Sequence, residues 1–178
     1  MRVRILVFGA GAIGSLLGGL LSRENEVAIV GRKHHVDAIN RKGLHISGAT
    51  TFLAWPTAVT VVPTGDYDAI FVATKAYDTA AAVDALRAFW REGPFITLQN
   101  GLGNAEALAA KAARVVAGTT YHRGSPMNSN HASAAITPVS ATIAAARRGV
   151  TSILPGARGT AARRQQSPAP GCSEPRCR

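Results

Sequence analysis

The chain has 178 residues, of which 47% are apolar, so it is long enough for one ordinary domain with a hydrophobic core. Its formal net charge of +10, taken alone, would indicate a nucleic-acid partner. The charge is uneven, however: residues 1–122 hold 12 Lys and Arg against 9 Asp and Glu, whereas residues 123–178 hold 8 Arg against Glu174 alone. The first part is therefore only mildly basic, which suits a small phosphate-bearing ligand and does not require nucleic acid.

The N-terminus resembles a secretory signal, because the basic segment Met1–Arg4 precedes the apolar segment Ile5–Leu21. Five glycines interrupt the apolar segment, no small-residue cleavage site follows it, and its 17 residues are at the short limit for a membrane helix. We therefore expect a cytoplasmic protein without a membrane segment. Two cysteines, Cys172 and Cys177, lie without further ligands nearby, which favours a reduced protein with neither a disulfide framework nor a metal site.

The first third of the chain alternates between strand and helix patterns. A strand is predicted over 2–8, and apolar residues at helical spacing follow it, namely Ile13, Leu16, Leu17, Leu20 and Leu21. Further along, the sequence predicts a strand over 27–30, a short helix over 36–41 closed by Gly43, and extended segments over 44–47 and 57–62.

The alternation continues with a strand over 69–73 and a helix over 78–90 that turns Val83, Leu86 and Trp90 inward. The remaining predicted elements are a strand over 95–98, a helix over 105–112 and a strand over 115–117. Strands and helices that alternate in this way predict an α/β fold, a Rossmann-type doubly wound parallel sheet with helices on both faces.

The composition changes abruptly near residue 122. All ten aromatic residues lie at or before Tyr121, and no lysine follows Lys111. Beyond this point Ala, Gly, Pro, Ser and Arg dominate, and such a composition offers few large apolar groups to offset the entropy lost on ordering. We therefore expect a domain over residues 1–122 and an Arg/Ala/Pro/Ser-rich tail over 123–178 that is not a domain, with about the last 25 residues disordered.

A glycine motif joins the first predicted strand to the first predicted helix. It reads Gly9-Ala10-Gly11-Ala12-Ile13-Gly14, the G-x-G-x-x-G pattern typical of dinucleotide-binding sites in this context. The first glycine permits a tight turn, the second lets a pyrophosphate approach the backbone, and the third lets the helix pack closely on the sheet. The alternative is a glycine-rich helix start selected for packing alone.

The end of the second strand bears on the choice of cofactor. An NAD site usually places Asp or Glu there to bind the ribose hydroxyls, whereas this chain has Arg32 followed by Lys33. An arginine can pair with a 2′-phosphate, so NADP is favoured. Lys33 is expected to be solvated, and Asp37, which would favour NAD, falls within the following helix.

Two polar residues follow predicted strands, at the sheet edge where ligands of parallel sheets collect. Lys75 could bind a substrate carboxylate or polarise a carbonyl, and Asn100 could hydrogen-bond the cofactor or the substrate. The alternative is that Lys75 is an ordinary loop charge and Asn100 a turn former.

Five segments together resemble the N-terminal domain of the ketopantoate reductase (2-dehydropantoate 2-reductase) family over about residues 1–122. They are GAGAIGSLLGGLL from Gly9, the dipeptide Gly31-Arg32, VATKAY over 72–77, QNGLGNAE over 99–106 and AGTTYH over 117–122. The resemblance implies NADPH, hydride transfer to 2-dehydropantoate to give pantoate, and a place in pantothenate biosynthesis. It also implies that Arg32 contacts the 2′-phosphate, that Lys75 lies near cofactor and substrate, and that Asn100 lies by the nicotinamide. Glu106 matches a family position as well.

The sequence departs from the family pattern after His122. A family member continues into a helical domain that supplies a proton-donating lysine, and no such domain is recognisable in residues 123–178. The expectation is therefore a truncated chain that binds NADPH but reduces 2-dehydropantoate negligibly, and its tail resembles an out-of-frame translation. The alternatives are a non-catalytic NADP-binding module and a nucleic-acid binder acting through the arginine tail.

Overall fold

The computed structural model describes residues 2–48, 50–91 and 93–118, and the backbone of residues 131–134. Its strands are β1 (Arg4–Phe8), β2 (Glu26–Val30), β3 (Leu44–Gly48), β4 (Phe52–Ala54), β5 (Thr57–Val59), β6 (Ala69–Val72), β7 (Phe95–Thr97), β8 (Val115–Ala117) and β9 (His131–Ala134). Its helices are α1 (Ala12–Leu21), α2 (Lys33–Lys42), α3 (Thr79–Ala85) and α4 (Asn104–Ala109).

Six of the strands form one sheet in the order β5-β2-β1-β6-β7-β8, and every pair in it is parallel. The chain first runs outward from β1 to β2 and β5, then returns to β6 and proceeds in the other direction. The order of the strands thus reverses between β1 and β6, and ligands of such sheets bind at this reversal, beyond the carboxyl ends of the strands. The Rossmann-type α/β fold expected from the sequence is confirmed.

Alternate residues of β1 contribute to two separate hydrophobic clusters, one on each face of the sheet. Ile5 and Val7 pack with α1, whereas Leu6 packs with α3 and α4. All three side chains have no exposed surface. Because both faces are covered, β1 is apolar at nearly every position, which is why its sequence is a continuous run and not an alternating one.

A second, three-stranded sheet in the order β4-β3-β9 packs on the other side of α1. The helix fits between the two sheets because it carries two adjacent glycines. A Cβ on Gly18 would overlap the Ile29 side chain of the large sheet, and one on Gly19 would lie 2.8 Å from Cδ1 of Ile46 in the small sheet. The glycines after the nucleotide motif are therefore explained by packing.

The local structure differs from the predictions in α3 and in the small sheet. The helix expected over 78–90 ends at Ala85, because Leu86 has φ −96° and ψ 10°, outside the helical region, and a 3-10 turn (Arg87–Phe89) follows. Leu86 is nevertheless fully buried, as expected, and Val83 is 7% exposed. Strand β4, which pairs antiparallel with β3, was not predicted.

Most of residues 119–178 lie outside the described residues, and so do the expectations of a disordered terminus, reduced cysteines and an arginine-rich tail. Strand β9 lies beyond the composition change at residue 122 and pairs in parallel with β3. None of the helices in the described ranges has the length and apolar content needed to cross a membrane.

Candidate dinucleotide site

The glycine motif begins with a sharp turn at the end of β1. Gly9 has φ +117°, a backbone conformation that residues other than glycine rarely adopt. Its N–H donates to the Val30 carbonyl at 3.0 Å. A Cβ on Gly9 would lie 2.9 Å from backbone atoms of Ala73 and Thr74, which follow β6. The turn is thus fixed by the strands on both of its sides.

The last glycine of the motif lets α1 pass over this turn. A Cβ on Gly14 would overlap the carbonyl oxygen of Gly9 and would lie 3.2 Å from Cβ of Ala73. The buried hydroxyl of Ser15 also donates to the Ala10 carbonyl at 3.2 Å. The first turn of α1 is therefore in direct contact with the glycine turn.

The middle glycine behaves differently. Gly11 has φ −76° and ψ −172°, which any residue can adopt, and a Cβ built on it would meet no atom of the described residues within 4 Å apart from its chain neighbours. The fold itself therefore does not demand glycine here. The first turn of α1 has no side-chain cap and no acidic residue, so its backbone N–H groups are available to an anionic ligand.

The end of β2 lies beside this loop. A Cβ on Gly31 would be 2.5 Å from Cβ of Ala10, so the two segments touch. Arg32 comes next, at the N-cap of α2; it is exposed, and its guanidinium makes no hydrogen bond or ion pair with the described part of the chain. Asp37 lies within α2, as expected, and Lys33 Nζ contacts its carboxylate at 2.9 Å.

Lys75 and Asn100 occupy equivalent places after neighbouring strands. Val72 pairs with Thr97 in the sheet, and each candidate residue lies three positions beyond its strand end. Both are exposed, and neither side chain has a hydrogen-bond partner among the described residues. The structure therefore brings the glycine motif, Arg32, Lys75 and Asn100 to one edge of the sheet.

A hydrogen-bonded group that the sequence did not reveal connects the loops after β6 and β7. Gln99 Nε2 donates to Thr79 Oγ1 at 2.9 Å and to the Thr74 carbonyl at 3.1 Å. Gln99 Oε1 accepts a hydrogen bond from the Thr97 hydroxyl at 3.0 Å. Thr79 Oγ1 lies 2.8 Å from Asn104 Oδ1. We call the side chains of Thr79, Thr97, Gln99 and Asn104 the Gln99 network.

Little in the sequence indicates the Gln99 network, because polar residues in a loop are usually solvated. The signal available was the proximity of Gln99 and Asn104 to Asn100 within one loop segment. Nor does any group of three or more His, Cys, Asp or Glu that could hold a metal ion occur within the described ranges.

Most of the chain is similar to a known protein family. The model of the family described as ketopantoate reductase PanE/ApbA matches residues 5–147, which is most of the chain and extends beyond residue 122. The chain belongs to the ketopantoate reductase family. A curated family member, the 2-dehydropantoate 2-reductase of Pyrococcus horikoshii, is 40% identical over 119 residues, covering 66% of this chain and 40% of its own length. The chain thus spans about 40% of the length of this curated relative.

Solved structures of ketopantoate reductases share the fold. The 2-dehydropantoate 2-reductase from Geobacter metallireducens superposes with a TM-score of 0.67 at 30% identity, over 74% of this chain and 46% of that protein. A PanE/ApbA family ketopantoate reductase from Ralstonia eutropha gives a TM-score of 0.68 at 25% identity, over 83% of this chain and 54% of its own. The family is one of NAD(P)-dependent oxidoreductases, which is consistent with a dinucleotide site at this edge.

Proposed function

We propose that this chain binds NADP(H) and carries the cofactor half of an oxidoreductase that reduces 2-dehydropantoate to pantoate. The observation that carries the proposal is the open space at Gly11, together with an arginine just after β2 that has no partner among the described residues. Gly9 and Gly14 are explained by packing, but Gly11 is not, and a ligand that approaches the backbone supplies the missing reason. The alternative that the motif serves packing alone accounts for only two of its three glycines.

The choice of NADP over NAD rests on the charges after β2. Arg32 has no partner within the described part of the chain, so its guanidinium is available for a 2′-phosphate. The nearest candidate for a ribose-binding carboxylate in this segment, Asp37, is engaged by Lys33 one helical turn away. A free cation and a neutralised acid both favour the phosphorylated cofactor.

The reaction would use the edge between β6 and β7. Bound NADPH supplies the hydride for the ketone. The Lys75 ammonium is suited to bind the substrate carboxylate or to polarise its carbonyl, and the Asn100 amide is suited to hold the nicotinamide or the substrate. The substrate class, a small 2-keto acid, is inferred from the 2-dehydropantoate 2-reductases that this chain resembles, and the cytoplasmic location remains a prediction.

Two measurements on the full chain test this proposal. Titration of the purified protein with NADPH and NADH, followed by the nicotinamide fluorescence, should show tighter binding of NADPH. Equal affinities would contradict the assignment of the 2′-phosphate to Arg32. Turnover of 2-dehydropantoate, measured as loss of NADPH absorbance, then separates a catalytic chain from one that only binds the cofactor.

A further inference from the structure

Buried polar side chains are concentrated at the proposed site. Within the described ranges four polar side chains are buried, namely Ser15, Thr79, Thr97 and Asn104. Ser15 holds the glycine turn, and the other three belong to the Gln99 network. Burying a polar group costs free energy unless it is hydrogen-bonded, and each of these four side chains has a hydrogen-bond partner in the loops that form the proposed site.

The donors and acceptors of the Gln99 network run in one direction. The backbone N–H of Gln99 donates to Thr97 Oγ1 at 3.2 Å, so the Thr97 hydroxyl donates its own proton to Gln99 Oε1. Gln99 Nε2 then donates to Thr79 Oγ1, which in turn donates to Asn104 Oδ1. Each group thus has its proton assigned by its neighbour.

This direction fixes the orientation of both amides. Asn104 Nδ2 donates to the Asn100 carbonyl at 3.1 Å and lies 3.3 Å from that of Gly101. Gln99 Nε2 also faces the carbonyls of Thr74 and Lys75, so a turned-over amide would place two oxygens against each other. Each amide therefore has one orientation in which its oxygen and its nitrogen both face suitable partners.

The backbone at both candidate residues lies at the ends of this network. The Lys75 carbonyl lies 3.3 Å from Gln99 Nε2, and the Asn100 carbonyl accepts from Asn104. Both side chains are exposed, whereas Thr79 and Asn104 are each 5% exposed. Thr79 and Asn104 are thus too buried to contact a ligand. The network instead holds the backbone that carries the side chains of Lys75 and Asn100.

We propose that Thr79, Gln99 and Asn104 are positioning residues. They hold the loops after β6 and β7 in the relative arrangement that presents Lys75 and Asn100 to the nicotinamide half of the ligand. The inference rests on the proposed function. It predicts that the network matters for the nicotinamide half of NADPH and not for the adenosine half, which binds at the glycine turn and Arg32.

The test uses Thr79→Val, which keeps the shape of the side chain but removes an acceptor and a donor. NADPH should bind about tenfold more weakly, because the half-buried Gln99 and the buried Asn104 each lose a hydrogen bond that holds the two loops together. Adenosine 2′,5′-bisphosphate, which lacks the nicotinamide, should bind the variant within about twofold of the unaltered chain. Thr79→Ser should restore NADPH binding, since it returns the hydroxyl.

Two further variants guard against a general loss of structure. Gln99→Met removes the amide from a half-buried position and should have the same selective effect if Thr79→Val does not fold. Tyr67→Phe removes another buried hydroxyl, whose partner is the Pro63 carbonyl at the opposite edge of the sheet. It should leave the binding of both nucleotides unchanged.

Amide hydrogen exchange gives a readout that does not depend on ligands. Exchange over residues 74–76 and 99–104 should be faster in Thr79→Val than in Thr79→Ser or Tyr67→Phe. Unchanged exchange, or equal weakening of NADPH and adenosine 2′,5′-bisphosphate, would overturn the positioning role. If the unaltered chain bound neither nucleotide, the proposed function would fail, and the positioning role would fall with it.

Discussion

Alanine at Gly11 separates the requirements of the fold from those of the ligand. The backbone at Gly11 is in an ordinary extended conformation, and within the described part of the chain the added methyl group would meet no atom within 4 Å other than its chain neighbours. Two small effects on stability oppose each other. Replacing glycine with alanine lowers the entropy of the unfolded chain, which stabilises by about 0.4–1 kcal/mol. Alanine is also a poorer N-cap than glycine, by roughly 0.5–1 kcal/mol.

The free energy of unfolding of Gly11→Ala should therefore remain within about 1 kcal/mol of the original value. Binding should change much more, because the methyl group occupies the space in which a pyrophosphate would contact the backbone. A misplaced methyl group in a closely packed contact costs about 1–3 kcal/mol, which corresponds to a loss of affinity of roughly 10- to 100-fold. NADPH and NADH should lose affinity equally, since both contain the pyrophosphate.

Urea unfolding followed by tryptophan fluorescence measures the first quantity, with the half-buried Trp90 as the reporter. Fluorescence titration with each cofactor measures the second. Gly14→Ala is the matched control, because its methyl group would overlap the Gly9 carbonyl and should destabilise the fold even without ligand. A Gly11→Ala protein that binds NADPH as tightly as the original would refute the placement of the pyrophosphate.

Three other changes test neighbouring parts of the structure. Arg32→Ala should weaken NADPH binding by roughly 10- to 100-fold and leave NADH binding nearly unchanged, because a hydrogen bond to a charged group is worth about 1.5–3 kcal/mol. Equal losses of affinity in fluorescence titrations would show that Arg32 supports the fold or the pyrophosphate instead. Lys75→Met should lower kcat/KM for 2-dehydropantoate about 10- to 100-fold in any assay in which the unaltered chain turns over the substrate. An unchanged kcat/KM would show that Lys75 does not contact the cofactor or the substrate. Gly18→Ala should lower the free energy of unfolding, measured in urea, by about 1–3 kcal/mol, and a second change, Ile29→Val, should recover part of this loss because it removes the Cδ1 that the new methyl group would meet. If the double variant is no more stable than the sum of the two single effects, the packing of α1 is contradicted.

The features that the sequence predicts well are those encoded by neighbouring residues. The run of apolar residues in β1, the glycine turn and the spacing of Leu16 and Leu17 are local patterns, and the structure places all of them as expected. The same holds for Arg32 at the end of a strand. The glycine turn and Arg32 lie at the same edge because the carboxyl ends of all parallel strands lie on one side of the sheet.

The features that were missed depend on contacts between distant parts of the chain. Thr79 and Asn104 are 25 positions apart and are joined only by the packing of the loops after two neighbouring strands. Strand β4 has three residues and depends on β3 for its hydrogen bonds, so its own sequence carries a weak signal. Leu86, likewise, fits the helical spacing of apolar residues although its backbone is not helical, because periodicity records burial and not dihedral angles.

The pairing of β3 with β9 bears on where this protein can be shortened for experiments. The register runs from His45 opposite His131 to Gly48 opposite Ala134, so one side of β3 is covered by backbone that lies more than 80 positions later. A protein ended at residue 122 would expose that side as a row of unpaired N–H and C=O groups next to the apolar face on α1. Open strand edges of this kind recruit strands from other molecules. Shortened versions should therefore retain residue 134, and those that do not are expected to self-associate.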